Sequence, residues 1–493
     1  MQQLSGTDDL FLHQEKGNVY THVAGFGIYD PSTAPGGSVS YEDLRRFFSA
    51  QVHKAKVFRR RLIMPPPLSF DRPYWIEDGT VDFDYHIRRL ELPKPGGWQQ
   101  LCALVAQLHA TPIDRSHPLW EIYIIEGIDN VAGVTPGSFG LMMKFHHAAL
   151  DGDAGVEIMR ITHTLSPNFK DEPPPEPLAG EPEPNVVDLF SQMLISGVKR
   201  WVDTVNFSLR LGTKILQSGS EVVSALARKK APRTRFDEPI SADRVFDAVD
   251  LPLASLKVMR NQATGATVND LFLTILGGAL RRYLYAKNEL PAESLIAAVP
   301  MSLREKNAAH DADSGNAITT VAMPMHTEIE DPLKRLRAVI EDANQTKATT
   351  EALGKTLLVD LVNVLIPLGA DLLVSETILP AVNCTASNVR GPDIPLYLAG
   401  ARMARFYPLN IVFNGLGLTN TAFSYNGTFS IGAVSCSHIM PDLDFYMQCL
   451  RESFEELSVA LVVAGQSHSP VPAAKKVRGR TGTGSKQQKP GKH

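Results

Sequence analysis

Hydrophobic and polar positions divide the chain into two patterned stretches with a proline-rich break between them. VYTHVAGFGIYD, residues 19–30, mixes aromatic and β-branched side chains and predicts a strand. WQQLCALVAQLHATPID, residues 98–114, repeats apolar positions at helical spacing and predicts an amphipathic helix. WEIYIIEGI (120–128) and SFGLMMKFHHAAL (138–150) predict two further strands. DNVAGVTPG between them has the spacing of a hairpin with an extended loop. Residues 1–165 thus read as one α/β unit.

The break is residues 171–185, DEPPPEPLAGEPEPN, with six prolines between Pro173 and Pro184. Proline at that density favours an extended linker over a helix. Residues 186–230 hold few breakers and predict a long helical stretch. It carries Trp201, Phe207 and Leu211 and ends in Arg228-Lys229-Lys230. Linker and helical stretch together occupy 166–240. The second unit, 241–470, alternates a helix at 267–286 with strand-like runs at 295–303 and 316–325. The expected class is α/β (α+β), not all-α or all-β. The most apolar run, LLVDLVNVLIPLGADLLV at 357–374, is interrupted by Asp360, Pro367 and Asp371. It predicts a buried or interfacial helix pair, not a membrane span. Residues 471–493 lack hydrophobic spacing and are expected to be a disordered basic tail.

Composition narrows the class. A chain of 493 residues is long enough for two large domains, and 44% hydrophobic with 21% charged residues is ordinary for a globular protein. A net charge of −4 gives no basic field for nucleic acid. Cys102, Cys384, Cys436 and Cys449 form no C-x-x-C pair, which argues against a structural zinc or redox motif and suits a reducing compartment. The first residues, MQQLSGTDDLFLHQEKGN, show no secretory signal, so a cytoplasmic location is expected.

The chemistry concentrates in His146-His147-Ala148-Ala149-Leu150-Asp151-Gly152, an H-H-x-x-x-D-G pattern. An apolar strand delivers two histidines to its end. A turn then reverses the chain, and Gly152 permits backbone angles that other residues resist. A free hydroxyl is a poor nucleophile, and histidine is the side chain whose pKa suits its activation near neutral pH. A lone histidine at a strand end is ordinarily a core residue, but the full pattern favours His147 as a general base. His146 fits a structural role equally well. No G-x-S-x-G elbow is present, which favours direct transfer over an acyl-enzyme.

The pattern resembles the coenzyme A-dependent acyltransferase superfamily. LSGTDDLF (4–11), Pro118-Leu119-Trp120-Glu121, Asn269-Asp270, PMSLR (300–304) and Ser387-Asn388-Val389-Arg390-Gly391-Pro392 resemble the bacterial wax ester synthase/diacylglycerol acyltransferase family. The resemblance runs from about residue 4 to 465. It implies two chloramphenicol-acetyltransferase-like domains with the active site in a channel between them. It also implies acyl-CoA as co-substrate, diacylglycerol or a long-chain alcohol as acceptor, and no metal or bound cofactor. In the superfamily the motif aspartate points away from substrate and pairs with an arginine, so Arg304 is the expected partner of Asp151. Arg390 stands where the family has proline, which bears on substrate preference more than on reaction type.

Other positions carry two readings each. Thr267 is a plausible N-cap, which puts Asn269 at a helix start: it either caps and packs there, or faces a developing oxyanion. Asp270, Ser387 and Asn388 are candidate substrate contacts, and the Ser387–Pro392 segment serves equally as a plain loop with Gly-Pro turn chemistry. Trp120 reads as a core anchor. Rival functions are a carrier-protein-dependent acyltransferase and a non-catalytic lipid-binding protein; a hydrolase lacks a recognisable nucleophile. No obligate protein partner is evident. Water-insoluble substrates imply work at a membrane or lipid-droplet surface. The helical stretch 186–230 and the tail are the candidate anchors. The tail holds Lys475, Lys476, Arg478, Arg480, Lys486, Lys489 and Lys492 and no acidic residue, leaving 42 basic against 53 acidic residues elsewhere. It acts as an electrostatic tether or only as a solvated end.

Overall fold

The structure, a computed structural model, describes residues 1–65, 71–150, 152–168, 179–185, 187–197, 230–302, 318–353 and 381–467. Two six-stranded mixed sheets dominate. The first runs β12 (Tyr397–Leu398), β13 (Ala401–Leu409), β2 (His22–Asp30), β7 (Ser138–His146), β6 (Trp120–Ile128), β5 (Ile87–Glu91). The second runs β10 (Ile318–Pro324), β9 (Ile296–Ser302), β11 (Cys384–Arg390), β14 (Thr419–Tyr425), β15 (Thr428–Cys436), β8 (Arg244–Pro252). A small antiparallel sheet joins β1 (Gln2–Gln3), β4 (Tyr74–Glu77) and β3 (Arg60–Ile63).

The expected hairpin is present: β6 and β7 pair antiparallel from Trp120↔Phe145 onward. Every residue of β7 is buried, because β2 and β6 flank it and side chains cover both faces. Met142 on one face joins a core with Phe26, Leu101 and Val105. Phe139, Leu141, Met143 and Phe145 on the other join Trp120 and Phe58. The amphipathic helix spans Trp98–His109 and stops short of residue 114, because Pro112 cannot continue it. It lies in the core shared by the two sheets, and Trp98 Nε1 donates to Asp247 Oδ1 on β8 at 2.7 Å.

The chain divides less simply than the break at 171–185 implies. Residues 397–409 fall in the expected second unit, yet β12 and β13 complete the first sheet, with β13 antiparallel to β2. The Ser387–Arg390 run is not a loop. It forms most of β11, parallel to both β14 and β9, and only Gly391-Pro392 leaves the strand. The helix expected at 267–286 spans Val268–Ala286. Of the stretch 186–230, residues 187–197 are helical, while Trp201, Phe207, Leu211, Arg228 and Lys229 lie outside the described residues. So do the 357–374 run and the tail. No helix among the described residues is long and apolar enough to cross a membrane.

Candidate active site

Both histidines of the motif stand at the exit of β7. His146 is the last strand residue, paired opposite His22 of β2, and His147 opens the turn that follows. Backbone bonds pin this exit from two sides: His146 N donates to Leu119 O at 3.0 Å, and His147 N donates to Thr21 O at 2.8 Å. Ala149 N closes the turn on His146 O at 2.9 Å. Arg60, buried on β3 with its guanidinium 4.6 Å over the Trp75 ring, donates to Ala149 O at 2.9 Å. The turn is therefore clamped by elements far apart in sequence.

His147 is half-buried, with the Phe11 ring stacked on its imidazole at 4.1 Å and 13°. Burial pushes its pKa down to about 4; a backbone contact opposes that shift and the neighbouring His146 adds to it. The ring is therefore neutral at physiological pH. His146 is fully buried. Its Nδ1 accepts from Ala148 N at 3.0 Å, and its Nε2 lies 3.2 Å from Thr21 Oγ1 and 3.4 Å from Glu15 Oε1. With both nitrogens engaged by protein groups, His146 holds the turn; it does not stand open to a substrate.

The strand itself is anchored by charge. Lys144 Nζ, fully buried, sits 2.6 Å from Glu121 Oε2, its cross-strand neighbour, and also donates to Leu108 O and Thr111 O at 3.2 and 2.9 Å. The ammonium thus caps the carboxyl end of the Trp98–His109 helix, where the last carbonyls lack partners. Trp120 Nε1 donates to Phe58 O at 3.0 Å within the core, in keeping with the structural reading of Pro118–Glu121.

Asn269 and Asn388 form a second group. Asn269 is the second residue of the Val268–Ala286 helix, and Asn388 Nδ2 donates to its Oδ1 at 3.4 Å from β11. Thr267 caps this helix as expected. Asp270 has a different job from the expected substrate contact: its Oδ2 accepts from Thr267 N and Oγ1, both at 2.8 Å, while Asp270 N donates to Thr267 Oγ1 at 3.2 Å. That reciprocal capping box occupies the buried carboxylate. Ser387 lies opposite Thr421 of β14 and is half-buried. Gly152 is the first residue of the helix Gly152–Thr162. Asp151 and Arg304, the expected ion pair, both lie outside the described residues. Arg390 is exposed at the end of β11, 3.4 Å from Asp393.

Sequence reasoning did not single out Glu15, Thr21, Arg60 or Arg115, all of which support the turn, and it gave Phe11 no role of its own within the LSGTDDLF run. Each is an isolated residue outside the motif, brought to it only by the fold.

Two mixed sheets with a histidine at the exit of a central strand are an arrangement that this chain shares with solved acyltransferases. Trichothecene 15-O-acetyltransferase from Fusarium sporotrichioides shares the fold at a TM-score of 0.60 and 12% identity, over 93% of this chain and 94% of that one. The wax ester synthase/diacylglycerol acyltransferase from Marinobacter aquaeolei VT8 superposes with a TM-score of 0.67 at 25% identity, over 94% of this chain and all of that one. A Mycobacterium bovis protein named for diacylglycerol O-acyltransferase activity is 33% identical over 93% of this chain and 99% of its own length. A Mycobacterium tuberculosis protein of the same designation is 31% identical over 92% and 90%. The model of the wax ester synthase/diacylglycerol acyltransferase catalytic domain matches residues 4–272, and that of the C-terminal domain matches 314–458. The chain belongs to the wax ester synthase/diacylglycerol acyltransferase family.

Proposed function

We propose that this chain transfers a long-chain acyl group from acyl-CoA to the hydroxyl of diacylglycerol or a long-chain alcohol, with His147 as general base. The observation that carries the reading is the pinned, neutral imidazole of His147 at the end of β7. The acceptor oxygen attacks the thioester carbonyl carbon as its proton passes to His147. A tetrahedral oxyanion forms, the C–S bond breaks, and His147 returns the proton to the CoA sulfur. Asn269, at a helix start and oriented by Asn388, is the proposed donor to the oxyanion or the acceptor. Purified protein incubated with labelled palmitoyl-CoA and a panel of acceptors tests this by lipid chromatography. Labelled triacylglycerol or wax ester is the expected product. Release of free CoA and fatty acid alone overturns the reading.

The same reading places the enzyme at a lipid surface, because its substrates barely dissolve in water. Val459, Val462 and Val463 are exposed near the end of the helix Leu443–Ser467, and the basic run of the tail follows them in sequence. Apolar side chains followed in sequence by several cations suit an anionic membrane, each charge near the surface contributing about 1 kcal/mol. Truncation after Pro472 is expected to weaken binding to anionic vesicles at low salt and to leave turnover on detergent-solubilised acceptor unchanged. Equal vesicle binding by the two forms removes the tail from the account.

A further inference from the structure

We propose that Glu15 is a positioning residue for acyl transfer: acting through His146, it holds the turn on which His147 stands. The inference deepens the reading of His147 as the base and rests on it.

The argument starts from where the protons lie. His146 Nδ1 accepts the Ala148 N–H at 3.0 Å, so that nitrogen carries no hydrogen and the ring bears its proton on Nε2. The Thr21 hydroxyl spends its hydrogen on Phe11 O at 2.8 Å, which leaves its oxygen as an acceptor 3.2 Å from Nε2. Glu15 Oε1 stands 3.4 Å from the same nitrogen. Nε2–H therefore points at a hydroxyl oxygen and a carboxylate, and both favour this tautomer over the other.

Glu15 is held as firmly as the ring it faces. It follows the helix Gly6–Gln14 as its C-cap. Oε1 accepts the Thr21 N–H at 2.7 Å, and Oε2 accepts from Arg115 Nη2 at 2.7 Å and Nε at 3.2 Å. Arg115 in turn donates to Leu12 O at 2.8 Å, tying the pair to the helix that carries Phe11. Burial alone would push the Glu15 carboxyl up. His146, Arg115 and the Thr21 amide outweigh it and hold the pKa at about 2, so the group is an anion throughout the working range.

The geometric consequence falls on His147. In the opposite tautomer His146 would present Nδ1–H to the Ala148 N–H, two donors head to head, and the turn would have to open. Thr21 serves both halves of the device, its hydroxyl facing the His146 ring and its carbonyl accepting the His147 N–H. Loss of the Glu15 charge relaxes the tautomer, then the turn, then the position of the base.

The test uses the full-length protein and the variants Glu15→Gln, Glu15→Asp and His147→Ala. Glu15→Gln keeps size and one acceptor oxygen but removes the charge. It is expected to lower kcat by about ten- to a hundredfold, as a small misplacement of a reacting group does, with KM for acyl-CoA within about twofold. Glu15→Asp, which restores the carboxylate, is expected to recover part of that loss. In protein labelled with ¹⁵N-histidine, the His146 signal is expected to report Nε2–H in the wild type and a tautomer mixture in Glu15→Gln. An unchanged His146 signal in Glu15→Gln overturns the proposal, whether kcat falls with it or stays at the wild-type value. The His147→Ala arm separates the two ideas. If that variant still turns over, the base assignment fails, while the nitrogen spectra still report on what Glu15 does.

Discussion

An imidazole serves as a general base only while it is unprotonated, and the surroundings of His147 secure that state. Water would stabilise the imidazolium, and burial with the Phe11 ring over one face removes it. At a pKa of about 4 nearly all of the ring is available at neutral pH, at some cost in basicity. The residue that meets the developing negative charge must come from elsewhere. Asn269 is the candidate: its neighbour Asp270 is engaged in capping, and among the described residues its own amide meets a 3.4 Å contact from Asn388. Replacing Asn269 by alanine leaves the Thr267–Asp270 box intact, so the helix should persist. The expected outcome is a fall in kcat of about a hundredfold with little change in Tm. A change confined to Tm returns Asn269 to a structural role.

Some elements could be read from the chain because their signals are local. The β6–β7 hairpin follows from two apolar runs with a glycine-containing loop between them, and the Thr267 cap from a hydroxyl residue three places before an acid. Tyr425-Asn426-Gly427-Thr428 carried an equally local hairpin signal, with Asn426 and Gly427 at φ 43° and 87°, and went unread. Other elements depend on distant partners. β11 looks like a loop in isolation, since its serine, asparagine and arginine are weak strand formers; pairing with β14 and β9 makes it a strand. β12 and β13 join the first sheet although β11 and β14 on either side of them in sequence build the second, and no periodicity records which sheet a strand enters. Close packing is hidden in the same way. A Cβ on Gly277 would lie 2.2 Å from Met325 O, so this glycine sets how near the Asn269 helix approaches the end of β10. The support for His147 from Glu15, Arg115 and Arg60 belongs with these, because each is a charge whose partner lies far away in the chain.

Several further imidazoles are held neutral by burial. His86 and His163 are pushed by burial to about 4 and His109 to about 3, and burial also holds His22 well below its usual value. Their folded pKa values, like that of His147, lie below the unfolded value of about 6.5. Between those limits the unfolded chain binds more protons, so stability is full above about pH 6.5 and falls as pH drops toward 4. Tm is expected to drop by at least about 5 °C from pH 7.5 to 5. A flat profile would show that these histidines are solvated or paired. The shared core and the clamped turn exist, on this account, to present one neutral imidazole to an acceptor hydroxyl. The most direct test is the rate of acyl transfer from palmitoyl-CoA by folded His147→Ala. Removal of a general base typically costs about a hundredfold to ten-thousandfold, and a loss of that size with unchanged Tm is the predicted result. Near-normal turnover in this variant would contradict the account.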